Sequence, residues 1–339
     1  MIGPDYIVYR LTGNIQTDYC EASTSSLCDL KTGAWSEEIR RLLEFPRDIY
    51  PEIKGTCEVC GTVTKQWQEK FHFKQDVKVL TGTGDNPAAA IATGCFAKGY
   101  PVLSLGTSGV LMYPKKKINF EVKGKNILFS MDGKDVLILV QGVVQSTGSS
   151  LAWWVKNTLQ ADDFMEETTG VDLKHLGENE LMFYPHLVGD KTIYQDPELR
   201  GSFVGIGTDT TRKEMTIAVM EGIAFAVRQL VSVMGVSKEE LARLKVTGGG
   251  SKNEVWMQIL ADVLNTKVEQ LESGAGAGYG IALCAAAAGD ENLSMNDLIE
   301  QTVSIKNTFI PRQYNRELYE QKYQKYLRVY DALKHIYQE

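Results

Sequence analysis

The sequence predicts an α/β protein in which mixed β-sheets are covered by helices. Three observations predict it. Short β-prone runs cluster between Val102 and Val140, helix and strand patterns then alternate three times up to Ala288, and glycine-rich turns sit at the strand ends. The residues before Val102 supply only about two helices and two strands, too little for an independent domain. At 339 residues, two domains are the expectation.

Asp5 to Thr12 is an apolar/polar stretch ending at Gly13, and a polar loop spans Asn14 to Ser25. Ser36 is the expected cap of a helix running to about Leu43. Pro46 and Pro51 break the chain after it, and Val63 to Phe71 is a further helical segment. The next stretch, Val77 to Leu111, reads strand, turn, helix, strand, turn, strand. Its turns are Gly82-Thr83-Gly84-Asp85-Asn86 and Gly106-Thr107-Ser108-Gly109. Asp85 stands where a helix N-cap would be, followed by Pro87, an Ala-rich body and Gly99 as a stop.

Ile127 to Ser130 and Val136 to Val140 flank an Asp132-Gly133-Lys134 hairpin turn. A helix is expected from Ser146 to Leu159 and a strand at Leu181 to Tyr184. Thr211 to Glu214 forms a capping box for a long helix that stops near Gly235. Leu244 to Thr247 is a strand, Ser251 to Glu254 a second capping box for a helix to Leu264, Lys267 to Gln270 a strand, and Ala277 to Ala288 a small-residue helix. Leu318, Tyr319, Tyr323, Tyr326, Tyr330 and Leu333 recur at spacings of three and four, the buried face of a closing helix.

Composition excludes several classes. With 43% hydrophobic and 23% charged residues the chain is an ordinary globular one, and a net charge of −7 argues against nucleic-acid binding. The short Lys115-Lys116-Lys117 run decorates a strand exit. No apolar run approaches membrane-spanning length, and MIGPDYIVYR lacks a signal-peptide pattern, so the expectation is a cytoplasmic protein with no membrane partner. Of six cysteines only Cys57 and Cys60 form a CxxC, with no second pair or histidines at metal-ligand spacing; they read as incidental thiols. The four histidines are dispersed. Asp190 and Asp209 read as solvated loop carboxylates.

Two places carry chemistry. Asp85 holds a carboxylate at the positive end of a helix, compatible with a cap or with a base, and the Gly106 turn offers small hydroxyls and free backbone N–H groups nearby. Gly248-Gly249-Gly250 follows a strand and precedes a capped helix, where a ligand can approach the backbone. It is neither a Walker loop nor GxGxxG.

Four stretches in order then make the pattern specific: GTGDN, SLGTSG, Gly201 to Glu221, and VTGGGSKNEVWMQILADVL. Together they resemble the FGGY family of carbohydrate kinases. Gly201-Ser202-Phe203-Val204-Gly205-Ile206, seven residues, then Glu214 to Glu221 matches that family's C-terminal signature, and Asp18 to Trp35 resembles its members that act on xylulose. The resemblance implies an actin-like ATPase (ribonuclease H-like) fold, with residues 1–100 the remainder of a sugar-binding domain and 101–339 a nucleotide-binding domain. It implies ATP and Mg²⁺ as cofactors and a sugar, a pentulose, as substrate. Asp85 would be the general base and Asn86 would lie beside the sugar. Gly106, Thr107 and Ser108 would contact the phosphates. Gly148, Gly248, Gly249, Gly250 and Asn253 would form the nucleotide pocket, with no metal ligand assigned.

One departure stands out. No Asp-x-Gly-Thr phosphate loop occurs near Met1, so the first domain reads as incomplete. A shortened chain or half of a split gene, with little activity alone, is therefore expected. A homodimer, or an N-terminal half supplied by another chain, is the expected partner. A non-catalytic ATP-binding or sugar-sensing module is the alternative function, as are kinases for gluconate, ribulose or glycerol.

Overall fold

The structure is a computed structural model that describes residues 2–74, 77–272, 276–290 and 292–337. The first hundred residues hold α1 (Gly3–Thr12), β1 (Gln16–Asp18), α2 (Tyr19–Thr24), β2 (Cys28–Asp29), β3 (Ala34–Trp35), α3 (Glu37–Leu42), β4 (Glu52–Lys54), β5 (Val59–Thr62), α4 (Lys65–Phe71), β6 (Lys78–Leu80), α5 (Asp85–Ala92) and α6 (Cys95–Lys98). There follow β7 (Val102–Leu105), β8 (Gly109–Lys115), β9 (Lys125–Phe129), β10 (Leu137–Val144), α7 (Gly148–Ala152), β11 (Met182–Tyr184), β12 (Ser202–Val204) and α8 (Arg212–Val233). The chain closes with β13 (Arg243–Thr247), α9 (Glu254–Leu264), β14 (Lys267–Leu271), α10 (Ala277–Gly289), α11 (Met295–Thr302), β15 (Ile305–Phe309), α12 (Gln313–Tyr326) and α13 (Val329–Tyr337).

Among the described residues the main sheet has seven strands in the order β15-β14-β13-β7-β8-β10-β9. The β14-β13-β7 pairings are parallel and the others antiparallel, which makes the sheet mixed. Its side chains alternate between two cores, as the strand period of two requires. Val102, Met112, Ile127 and Leu139 pack with Ala90 and Cys95 on one face. Leu103, Leu111, Leu128, Ile138 and Val140 join the residues of α8 and α9 on the other. Strands buried on both faces read as continuous apolar runs, which is how LILVQGVV reads in β10.

The Thr211 box forms as expected: Thr211 N–H donates to Glu214 Oε2 at 2.7 Å and Glu214 N–H to Thr211 Oγ1 at 3.2 Å. The helix it opens, α8, is long and apolar enough to cross a membrane by length and composition, a property that its interspersed charges hide in the sequence. It is instead mostly buried as the central core helix.

Other expectations are corrected. Asp5 to Thr12 lies in a helix, held by Pro4 in its first turn, by Asp5 accepting the Ile2 N–H at 3.2 Å, and by Gly13 in the left-handed region as its stop. The Ala-rich helix after Asp85 ends at Ala92, and Gly94 at φ 68° starts a separate short helix. Asp190 is buried and faces the buried His186, whose Nδ1 lies 3.4 Å from its Oδ2. Burial alone would push the Asp190 carboxyl up, but His186 and the N–H groups of Tyr194 and Gln195 outweigh it and hold it below its ordinary value. The closing tyrosine stripe is divided between α12 and α13, with Tyr319, Tyr323 and Tyr326 buried.

Candidate active site

Asp85 is the first residue of α5, and Gly84 takes the cap position that had been expected for Asp85. The carboxylate stays exposed, with Oδ1 accepting the Asn86 N–H at 2.8 Å. Gly82 turns the chain at φ 78°. The space at Gly84 is tight, since a Cβ there would stand 3.1 Å from Cys20 Sγ and 3.2 Å from Glu21 Oε1. Pro87 is tolerated because first-turn positions need no N–H donor.

The turn rests on a bed formed 65 residues upstream: Thr83 Oγ1 donates to Asp18 Oδ2 at 2.5 Å. Asp18 also caps α2, accepting the N–H groups of Cys20 at 3.1 Å and Glu21 at 3.0 Å. Burial pushes its carboxyl up to about 6 against these three donors. Sequence reasoning assigned Asp18 and Thr83 no role. The only signal was that Asp18 begins one family-like stretch and Thr83 stands inside another.

The Gly106 turn exposes Gly106 and Thr107, and Gly106 N–H bonds across it to the Ser108 carbonyl at 3.1 Å. A second loop is laced to it. Gly148 N–H donates to the Gly106 carbonyl and Ser149 N–H to the Thr107 carbonyl, both at 3.0 Å, and Thr147 Oγ1 reaches the Gly106 carbonyl at 3.2 Å. A side chain at Gly148 would collide with that carbonyl. The third loop crosses Leu105: Gly248 has φ 94°, and a Cβ on it would lie 2.5 Å from the Leu105 carbonyl oxygen. A Cβ on Gly250 would lie 2.7 Å from the Trp256 ring, whereas Gly249 faces open space.

Gly106, Thr107, Ser108, Gly148 and Gly248 to Gly250 are therefore brought together. Asn253 supports this assembly from beneath. It is the cap of α9, accepting the Trp256 N–H at 3.0 Å and donating to Thr168 Oγ1 at 2.9 Å, and it is buried. The expected Ser251 cap is replaced by this one, because Ser251 Oγ turns back to the Gly248 carbonyl at 2.7 Å.

A cleft of about 680 Å³ joins the glycine loop to α5, lined among others by Gly248, Gly249, Lys252, Lys306, Ala89 and Thr93. Ala89 lies four residues after Asp85, on the same side of α5. Helix α10 backs α5 so closely that a Cβ on Gly280 would collide with the Ala88 carbonyl. Small side chains, an open glycine backbone and two lysines suit a phosphate-bearing ligand, and the exposed carboxylate at the head of α5 suits proton transfer. Among the described residues no group of three His, Cys, Asp or Glu could hold a metal. A magnesium ion in such a site rests largely on phosphate oxygens and water.

The description "FGGY family of carbohydrate kinases, C-terminal domain" matches residues 102–289, and the corresponding N-terminal domain matches residues 1–92. The chain is 30% identical over 337 residues to the xylulose kinase of Bacillus subtilis (strain 168), covering 99% of this chain and 66% of that one. It is 31% identical over 275 residues to the glycerol kinase of Lactococcus lactis subsp. lactis (strain IL1403), covering 78% of this chain and 53% of that one. Among solved structures, the xyloylose kinase from Brucella ovis superposes with a TM-score of 0.88 at 28% identity, covering 98% of this chain and 68% of that one. The chain thus spans about two thirds of the length of the xylulose kinases it matches.

Proposed function

This chain belongs to the FGGY family of carbohydrate kinases, and on that premise we propose that it serves ATP-dependent phosphorylation of a sugar hydroxyl, D-xylulose to D-xylulose 5-phosphate. Asp85 is the general base, and Asn86 lies beside the sugar. Residues 1–100 form the sugar side and 101–339 the nucleotide side. Similarity to xylulose kinases over nearly the whole chain supports the sugar. A cytoplasmic location goes with this reading, since ATP is the phosphoryl donor.

The observation that carries the reading is the exposed Asp85 carboxylate at the head of a helix whose next turn lines the glycine-loop cleft. The N-terminal end of a helix attracts negative charge, and the carboxylate there is placed to take the proton of an attacking hydroxyl. Bound Mg-ATP supplies the transferable phosphoryl group and the metal charge that balances it. The Gly106–Ser108 turn offers the Thr107 and Ser108 hydroxyls to phosphate oxygens, the Gly148 loop braces that turn with its own N–H groups, and Gly248 to Gly250 let the nucleotide approach the chain closely. Positioning and charge are most of what phosphoryl transfer asks of a protein.

ADP release measured across D-xylulose, ribulose, gluconate and glycerol tests the sugar, with D-xylulose expected to give the highest kcat/KM. A higher value on another of them would replace it. Asp85→Asn is expected to lower kcat by about 10²–10⁴-fold, the usual worth of a general base, while leaving nucleotide affinity within about twofold. Near-normal turnover in that variant removes Asp85 from the role.

A further inference from the structure

The turn that presents Asp85 has little holding it from its own helix: Gly84 caps α5 with no side chain, and Asp85 spends one oxygen on the neighbouring Asn86 N–H. The segment Gln16 to Glu21 fixes it instead. Gln16 Nε2 reaches Thr81 Oγ1 at 3.5 Å, Asp18 accepts the Thr83 hydroxyl at 2.5 Å, and the Cys20 and Glu21 side chains fill the space where a Gly84 Cβ would be. On the other side, Thr81 and Gly82 N–H donate to the carbonyls of Glu58 and Thr56, each at 3.0 Å. Of all these contacts, the Thr83–Asp18 bond is the side-chain tie closest to the base, two residues before it.

We propose that Asp18 is a positioning residue for Asp85, acting through the Thr83 hydroxyl to set the orientation of the Gly82–Asp85 turn. The assignment rests on Asp85 being the base of the proposed kinase reaction. The physical reason is geometric. A buried carboxylate with three donors on it cannot rotate without leaving one of them unmet, and an unmet buried donor is costly. Thr83 is therefore anchored to a point that α2 itself holds in place. Since Gly82 and Gly84 flank Thr83 and impose no rotameric order of their own, the hydroxyl bond is what removes the freedom those glycines introduce. A base misplaced by about 1 Å can lose on the order of 10²-fold in rate. Asp18 is faced by Asp5 from α1, by the Cys20 and Glu21 N–H groups of α2 and by Thr83 from the turn.

The test compares wild type, Thr83→Val, Thr83→Ser and Asp18→Asn by two readouts: amide hydrogen exchange across Gly82–Asn86, and steady-state kinetics with ATP and D-xylulose. Thr83→Val is expected to speed exchange at Gly84–Asn86 by about tenfold and to lower kcat by about 10²-fold, with KM for ATP within about twofold. Thr83→Ser, which restores the hydroxyl, is expected to return both toward wild type. Asp18→Asn, which keeps one acceptor oxygen, is expected to fall between. If Thr83→Val does not fold, Thr83→Ala, which adds no volume, takes its place. Unchanged exchange and unchanged kcat without the hydroxyl would overturn the assignment, as would failure of Thr83→Ser to restore them. Should the wild-type chain turn over no sugar of the panel, as a chain with little activity alone would, the kinetic readout bears on the kinase reading and not on this tie, and exchange across the turn decides whether Asp18 holds it.

Discussion

Asp18 is a carboxyl the fold stabilises in its protonated form. Burial lifts it from 3.8 to about 6, so between those values the folded protein binds more protons than the unfolded chain. Its contribution to stability is complete below the unfolded value and is lost as pH rises through about 6. Urea unfolding of wild type and Asp18→Asn from pH 4 to 7 should show the wild type losing stability relative to the variant by on the order of 3 kcal/mol. A difference that stays constant across that range would mean that Asp18 does not titrate there. At this scale the sequence was legible where chemistry is local and blind where it is not. GTGDN and the three glycines announce turns by themselves. Nothing near Asp18 announces Thr83, and nothing near Asp190 announces that it is buried against His186.

Among the elements, the α5–α10 crossing is the least forgiving contact, because at Gly280 one helix backbone lies directly on the other. Gly280→Ala puts a methyl into the Ala88 carbonyl with no flexible side chain to yield. The expected cost is about 1–3 kcal/mol, against the gain of helix propensity that alanine gives in an unobstructed helix. Thermal unfolding checks it, and a raised midpoint would show that the helices separate freely. Helices with local start signals were readable: Ser36 caps α3, accepting the Ile39 N–H at 3.2 Å, and the Thr211 box opens α8. Helix α1 was not, since YIVYRL is rich in residues that favour strands, and packing against β1 and β5 decides its state. Two glycines could end the Ala-rich helix; Gly94, two residues after Ala92 and at φ 68°, is the one that does, because the packing of Cys95 against Val102 and Met112 needs the chain to turn there.

For the molecule as a whole, a buried clasp joins its last helices to its centre. Glu221 of α8 accepts the Tyr319 hydroxyl at 2.8 Å, the Lys322 ammonium at 2.5 Å and the Gly177 N–H at 3.2 Å. Removing the acid strands a buried ammonium, so Glu221→Ala should cost about 3–5 kcal/mol, and Glu221→Gln with Lys322→Met should recover much of it. Equal losses in the single and double variants, by urea unfolding, would mean the charge pairing is not what the clasp supplies. The mixed sheet and its helical covers were legible from the strand cluster and the alternation after it. Their closure by this clasp was not, because its members lie about a hundred residues apart. The packing of α5 has one more consequence. Ala90 of α5 and Cys20 of α2 share a core with Val102, Met112, Ile127 and Leu139 of the main sheet, and Ser23 Oγ accepts the Leu128 N–H at 3.0 Å. In a surveyor's terms that sheet is the datum. Asp85, the bed beneath its turn and the glycine loops are all staked to the same monument, so the spacing between the carboxylate and the cleft is surveyed from one mark.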